Sequence, residues 1–136
     1  MIHSLSASDL LDLSERGAGC PPVEQALLLL HAAAPGLPGD ELARLPLGQR
    51  DAILLELRQR TFGGHINGLA ACPVCRERVE LDFEIGDLLA SFPGYSRQAV
   101  LPAELPTLNF SEAGYEIAFR LPASATCAAG LWNSTA

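Results

Sequence analysis

Cys72-Pro73-Val74-Cys75 is the compact constellation in this sequence that could do chemistry. Two sulfurs separated by two residues converge on one side of a tight turn, where they can share a Zn²⁺ at about 2.3 Å. The same spacing serves thiol redox chemistry, in which the first Cys sits at a helix N-terminus that lowers its pKa. An alternating strand pattern, not a helix, follows Cys75. The metal knuckle therefore ranks above the redox motif, and a plain hairpin turn carrying two reduced thiols is the bland reading that either must displace. A structural zinc takes four ligands. With Cys72 and Cys75 as the metal pair, His65 is the weaker addition. Cys20, Cys127 or the same pair from a second subunit are the other sources, none at a regular spacing. The position after the second Cys, glycine in many such knuckles because the backbone turns sharply, is Arg76.

Other reactive groups stand alone. Glu77, Glu80, Asp82, Glu84 and Asp87 crowd together, but carboxylates on the wet side of a strand are solvated and keep ordinary acidity. His3, His31 and His65 have no serine or acid arranged around them in a hydrolase pattern. Phosphate-cradling glycine loops and zinc-protease helices are absent from the sequence as well. The expectation is a protein without enzymatic activity. Arg50, Asp51, Arg58 and Arg60 lie on or near one helix, either as its solvated side or, with Leu54 and Leu57, as a partner-binding surface.

The elements that must position these residues change character along the chain. Residues 1–64 read as a helical region. Ser8-Asp9 is expected to cap a short helix ending at Arg16-Gly17. A second helix opens at Pro21-Pro22, where proline is tolerated because the first-turn N–H has no partner. Val23, Ala26, Leu27 and Leu30 form its buried stripe, and Pro35-Gly36 closes it. Asp40–Leu45 adds a turn. A third long helix runs from Pro46-Leu47-Gly48 to about Arg60, with Ile53, Leu54 and Leu57 on one apolar face and Glu56 paired to Arg60.

Residues 65–122 then read as a hairpin region. Val79, Leu81, Phe83 and Ile85 alternate with Glu80, Asp82 and Glu84, predicting a strand with one packed and one wet face. Ile66–Ala71 is its pairing partner across the Cys-Pro-Val-Cys turn, and Gly86–Leu89 is a short helix. Pro93, Pro102 and Pro106 allow only short edge strands before a second alternation at Tyr115, Ile117, Phe119 and Leu121, ended by Pro122. Residues 123–136 form a divergent tail, read as truncated, in which Trp132 has no obvious place to pack. The fold class expected is α+β, an N-terminal helical bundle packed against small antiparallel β-hairpins with a CPxC knuckle.

Composition sets the outer bounds. The chain has 136 residues, 49% hydrophobic and 18% charged, enough apolar content for a packed core. Sixteen acids against nine bases give a net charge of −7, which argues against nucleic acid as a partner because phosphate neutralisation drives such binding. The longest apolar run, Ala26–Ala34, is far short of the ~20 residues a bilayer requires. No basic segment followed by an apolar one opens the chain, so a cytoplasmic, reducing compartment and free thiols or metal ligands are expected.

Two longer strings carry a resemblance. They are Ala26-Leu27-Leu28-Leu29-Leu30-His31-Ala32-Ala33-Ala34-Pro35-Gly36 and the run from Leu45-Pro46-Leu47-Gly48-Gln49-Arg50-Asp51 through Leu54-Leu55-Glu56-Leu57-Arg58 to Thr61-Phe62-Gly63. Followed by Cys72-Pro73-Val74-Cys75, Val79-Glu80-Leu81 and Tyr115–Pro122, this resembles the T4-like phage baseplate protein family. Its members are baseplate hub assembly chaperones, with relatives in phage tails and in the phage-tail-like contractile injection systems of bacteria. The resemblance spans roughly residues 21–122. It implies a non-enzymatic assembly role in the cytoplasm of a bacterial host or in the assembled particle. Baseplate hub or spike proteins are the implied partners, and the chain could also self-associate.

Overall fold

The computed structural model describes residues 2–91 and 107–125. Among the described residues, five helices and two small antiparallel hairpins make an α+β fold. The helices are α1 (Ala7–Gly17), α2 (Pro22–Ala33), α3 (Gly39–Arg44), α4 (Leu47–Phe62) and α5 (Ile85–Ala90). The strands are β1 (His65–Ala71), β2 (Arg78–Glu84), β3 (Leu108–Glu112) and β4 (Tyr115–Phe119).

Local chemistry places the helix ends. Ser6, not Ser8-Asp9, caps α1. Its hydroxyl accepts from the Asp9 N–H at 3.2 Å, while Asp9 Oδ2 accepts from the Ser6 N–H at 2.8 Å. This reciprocal box satisfies two donors that the first helical turn leaves without partners, so the cap lies two residues before the expected one. Proline opens α2, and prolines at 38 and 46 immediately precede α3 and α4. Gly63, at φ 94° and ψ 166°, ends α4.

The core is built around α4. Leu30, Leu42 and Leu45 form one buried cluster, against which Leu27, Leu37, Ile53 and Leu54 pack. Ala52, Ile85 and Leu89 form a second, covered by Leu55 and Ile66. At 100° per residue, positions 53, 54 and 57 fall on one side of the helix and 52, 55 and 56 on the opposite side. The single apolar face expected for this helix is therefore two. α4 is packed between α2 and α3 on one flank and α5 with the root of β1 on the other. Tertiary packing from both flanks, not an amphipathic stripe against one layer, holds it.

The first hairpin pairs His65 with Glu84 at its root and Ala71 with Arg78 beside the turn. Cross-strand partners share a face, so Ile66, Phe83, Leu81 and Val79 lie on one side and Glu80, Asp82 and Glu84 on the other. Packing covers only the root of the apolar side. Ile85 is fully buried, whereas Leu81 and Val79 are 41% and 45% exposed. The strand was expected to have a continuously packed face. It instead projects past the end of the helical core, and among the described residues no core cluster reaches its outer half.

The second hairpin turns through Ala113 and Gly114, at φ 52° and 82°. Two positive φ values match the twist of flanking strands in a two-residue loop. Strand β4 ends at Phe119, before Leu121 and Pro122. The chain then returns to the start of α4. The Leu47 N–H donates to the Pro122 carbonyl at 2.9 Å, and Ala123 bridges Pro46. The expectations about Pro93, Pro102, Pro106, Cys127 and Trp132 lie outside the described residues.

Candidate functional site

Two surfaces merit attention, the Cys-Pro-Val-Cys turn and the apolar side of β3–β4. The turn closes through backbone bonds on both sides of the cysteines. The Cys72 N–H donates to the Glu77 carbonyl and the Arg76 N–H to the Cys72 carbonyl, each at 2.9 Å. Closing it puts Arg76 at φ 62°, a left-handed conformation that glycine adopts far more readily. Val74, at the apex, is 91% exposed.

This winding aims backbone N–H groups at sulfur. The N–H of Cys75, then that of Val74, then the Cys75 side chain hold the Cys72 thiol below its ordinary value, with desolvation opposing them. Donors directed at a sulfur favour its anionic form, and the thiolate is the form that binds metal or attacks disulfides. Strand β2, not a helix, leads away from the turn, so the lowering comes from two local amides and the Cys75 thiol and not from a helix dipole.

The turn presents two sulfurs, Cys72 and Cys75. Among the described residues no three His, Cys, Asp or Glu side chains gather as a metal-binding group. His65 stands at the other end of the hairpin. The strands put six residue steps of ~3.3 Å, roughly 20 Å, between it and the thiols, so it cannot complete a site on the same ion. It is held instead between Glu84 Oε1 at 3.1 Å from Nδ1 and Asp82 Oδ1 at 3.5 Å from Nε2. Only the strand register reveals that cluster, because His65 is far in sequence from the two carboxylates. Cys20 belongs to the α1–α2 connection, with its Sγ 3.5 Å from the Arg16 carbonyl oxygen.

The arginines considered for docking are tied into the fold. Arg58 donates to the carbonyls of Gly63 at 2.9 Å and His65 at 3.3 Å, clasping the passage from α4 into β1. Arg60 donates through Nε and Nη2 to Glu56 Oε1, at 3.0 and 2.7 Å. Arg50 reaches Asp51 at 2.6 Å and the fully buried Ser124 hydroxyl at 3.2 Å. Leu57 is buried and Leu54 packs on the first core cluster. These five residues thus build and brace α4.

The second surface was not singled out by sequence reasoning. Leu108 pairs with Phe119, Phe110 with Ile117, and Glu112 with Tyr115. These six side chains share one face of the hairpin, and Asn109, Ser111, Glu116 and Ala118 share the other. The aromatic side is uncovered, with Tyr115 74%, Ile117 53% and Phe110 50% exposed. The signal was present as an alternation on β4. Its partner alternation on β3 is short and lies behind three prolines.

Two shallow grooves, of about 350 and 590 Å³, run along α1–α2 and between α2 and α3. Neither contains the paired thiols or the His65 cluster. No helix among the described residues is long and apolar enough to cross a membrane.

Comparison with known proteins gives a family match. No curated protein and no solved structure matches the chain significantly. The model of the family described as T4 bacteriophage base plate protein matches residues 29–133. That span takes in the helical core, the thiol turn and the aromatic hairpin. With well over half of its length matched, from α2 through both hairpins, this chain belongs to the T4 bacteriophage base plate protein family.

Proposed function

We propose that the protein is a non-enzymatic assembly factor or component of the baseplate hub of a phage or a phage-tail-like contractile injection system. It holds hub or spike proteins, or masks their interfaces, until they join. Family membership supports a structural baseplate role and contact with other baseplate proteins. The observation that carries the finer reading is the uncovered aromatic side of β3–β4, with Phe110, Tyr115, Ile117 and Phe119 exposed together. A hairpin with one apolar face, and outer edges that no described strand pairs, can add to a neighbour's sheet or lie on its apolar surface. The work would begin in the cytoplasm of the bacterial host, where baseplate parts first meet.

Co-expression with the hub and spike proteins encoded beside it, followed by affinity capture of the chain, tests the reading. A defined hub or spike protein should be retained in stoichiometric amount. Failure of all of them to bind at micromolar concentration overturns the hub assignment.

A further inference from the structure

We propose that the outer edge of β4 takes an extended partner segment of alternating apolar and basic residues as a third strand. The inference rests on the reading of β3–β4 as a contact surface and adds the chemistry of what it contacts. Strands β3 and β4 pair with each other and with no other described strand, and every residue from 109 to 122 is exposed. A two-stranded hairpin is marginal in water without a third strand or a cover on its apolar side. The root of this one is nevertheless anchored. The Leu47 N–H donates to the Pro122 carbonyl at 2.9 Å, and Arg50 Nη1 donates at 3.2 Å to the hydroxyl of the fully buried Ser124. The arm is therefore held out from the start of α4 with its strand edge presented.

That edge is unguarded. Soluble proteins keep exposed edges apart with lysine or proline, and Tyr115–Phe119 contains neither. Its alternation defines the segment that fits. A strand added beside β4 sets every second side chain next to Tyr115, Ile117 and Phe119, where apolar residues extend the aromatic side. The intervening side chains fall beside Glu116 on the other side. Glu116 is exposed and in no ion pair among the described residues, so a Lys or Arg opposite it makes a cross-strand pair of opposite charge. Glu112, which pairs with the adjacent Tyr115, adds a second negative charge near the tip. Charge also decides between occupants. A second copy of this chain would bring another Glu116 to the same side and double a net charge of −7, and like charges across a strand pair are destabilising.

The probes are two synthetic peptides, one alternating valine with lysine and the other valine with glutamate. Each is titrated into the full chain and followed by amide NMR and sedimentation. The lysine peptide should bind several-fold more tightly than the glutamate peptide and protect the amides of β4. Its affinity should fall as ionic strength rises from about 0.01 M to about 0.15 M, where the Debye length shortens from ~30 to ~8 Å. Glu116→Lys should reverse the preference between the peptides while keeping the helical signal of the parent. Glu80→Lys, on the first hairpin, should leave the preference as it is. No binding of the lysine peptide at millimolar concentration, equal affinity for the two peptides, or a preference unchanged in Glu116→Lys would each overturn the proposal. A dimer of the chain alone that the peptide dissociates would also overturn it, giving the edge to a second copy. A hub or spike protein captured equally well by Glu116→Lys would overturn this inference and spare the hub reading. The peptide preference without capture of any hub or spike protein would do the reverse.

Discussion

Gly63 stands at φ 94° and ψ 166°, and no atom lies within 4 Å of the place a Cβ would occupy. That region of backbone space is essentially glycine's alone, and other residues are strained there by about 1–3 kcal/mol. Gly63→Ala should therefore lower unfolding free energy in denaturant by roughly that amount, entirely through the backbone. At the buried Glu56, Arg60 supplies two donors to one carboxylate oxygen. Arg60 is itself nearly half exposed, so the pair is partly screened. Arg60→Ala should cost ~1–2 kcal/mol, read from the same denaturation curves, mainly by removing two donors from a buried carboxylate. Asp9 is a matter of pH. The Ser6 hydroxyl and then the Ser6 N–H hold its carboxyl below the ordinary value of 3.8. A group whose folded pKa is depressed contributes stability that is full above its unfolded pKa and vanishes as pH falls through the lowered value. An NMR titration should place the Asp9 midpoint below that of a free aspartate, and Ser6→Ala should raise it. Amide exchange in the first turn of α1 should speed up only on acidification below that range.

The hairpins show how an element can be legible while its surroundings are not. In β3–β4 the turn forces Ala113 to φ 52°, where a Cβ is crowded. Ala113→Gly should stabilise the hairpin by about 0.5–1 kcal/mol, measured as increased amide protection in β3 and β4. The alternation in β1–β2 correctly foretold two strands and their turn, because side-chain direction in a strand reverses at every residue whatever lies above it. It foretold a packed face incorrectly, because packing depends on whether another element reaches that far. α4 and α5 reach Ile66 and Ile85 and stop there. The same limit applies to α4. Ile53, Leu54 and Leu57 were readable as a stripe, while the opposite stripe at Ala52 and Leu55 acquires meaning only when α5 arrives from thirty residues downstream.

For the whole molecule, exposed aromatic residues on β3–β4 and a family of baseplate proteins converge on function by contact. Ile117→Glu, at a half-exposed position facing Phe110, should leave the thermal midpoint within a few degrees of the parent. In the capture experiment it should lose most of the retained hub or spike protein. A variant that binds as well as the parent would move the interface off this hairpin.

Helix starts, breaks at proline and glycine, the switch from a helical to a strand period, the thiol turn and the family resemblance were all written in the chain. Each depends on neighbours a few residues apart or on a linear string of residue types. Tertiary structure alone decided that His65 is out of reach of the cysteines and that Arg50, Arg58 and Arg60 brace the fold. It also decided that the second hairpin bares its aromatic side. Those outcomes turn on strand register and on how far each helix extends over its neighbour, and distances through space are not encoded in any local pattern.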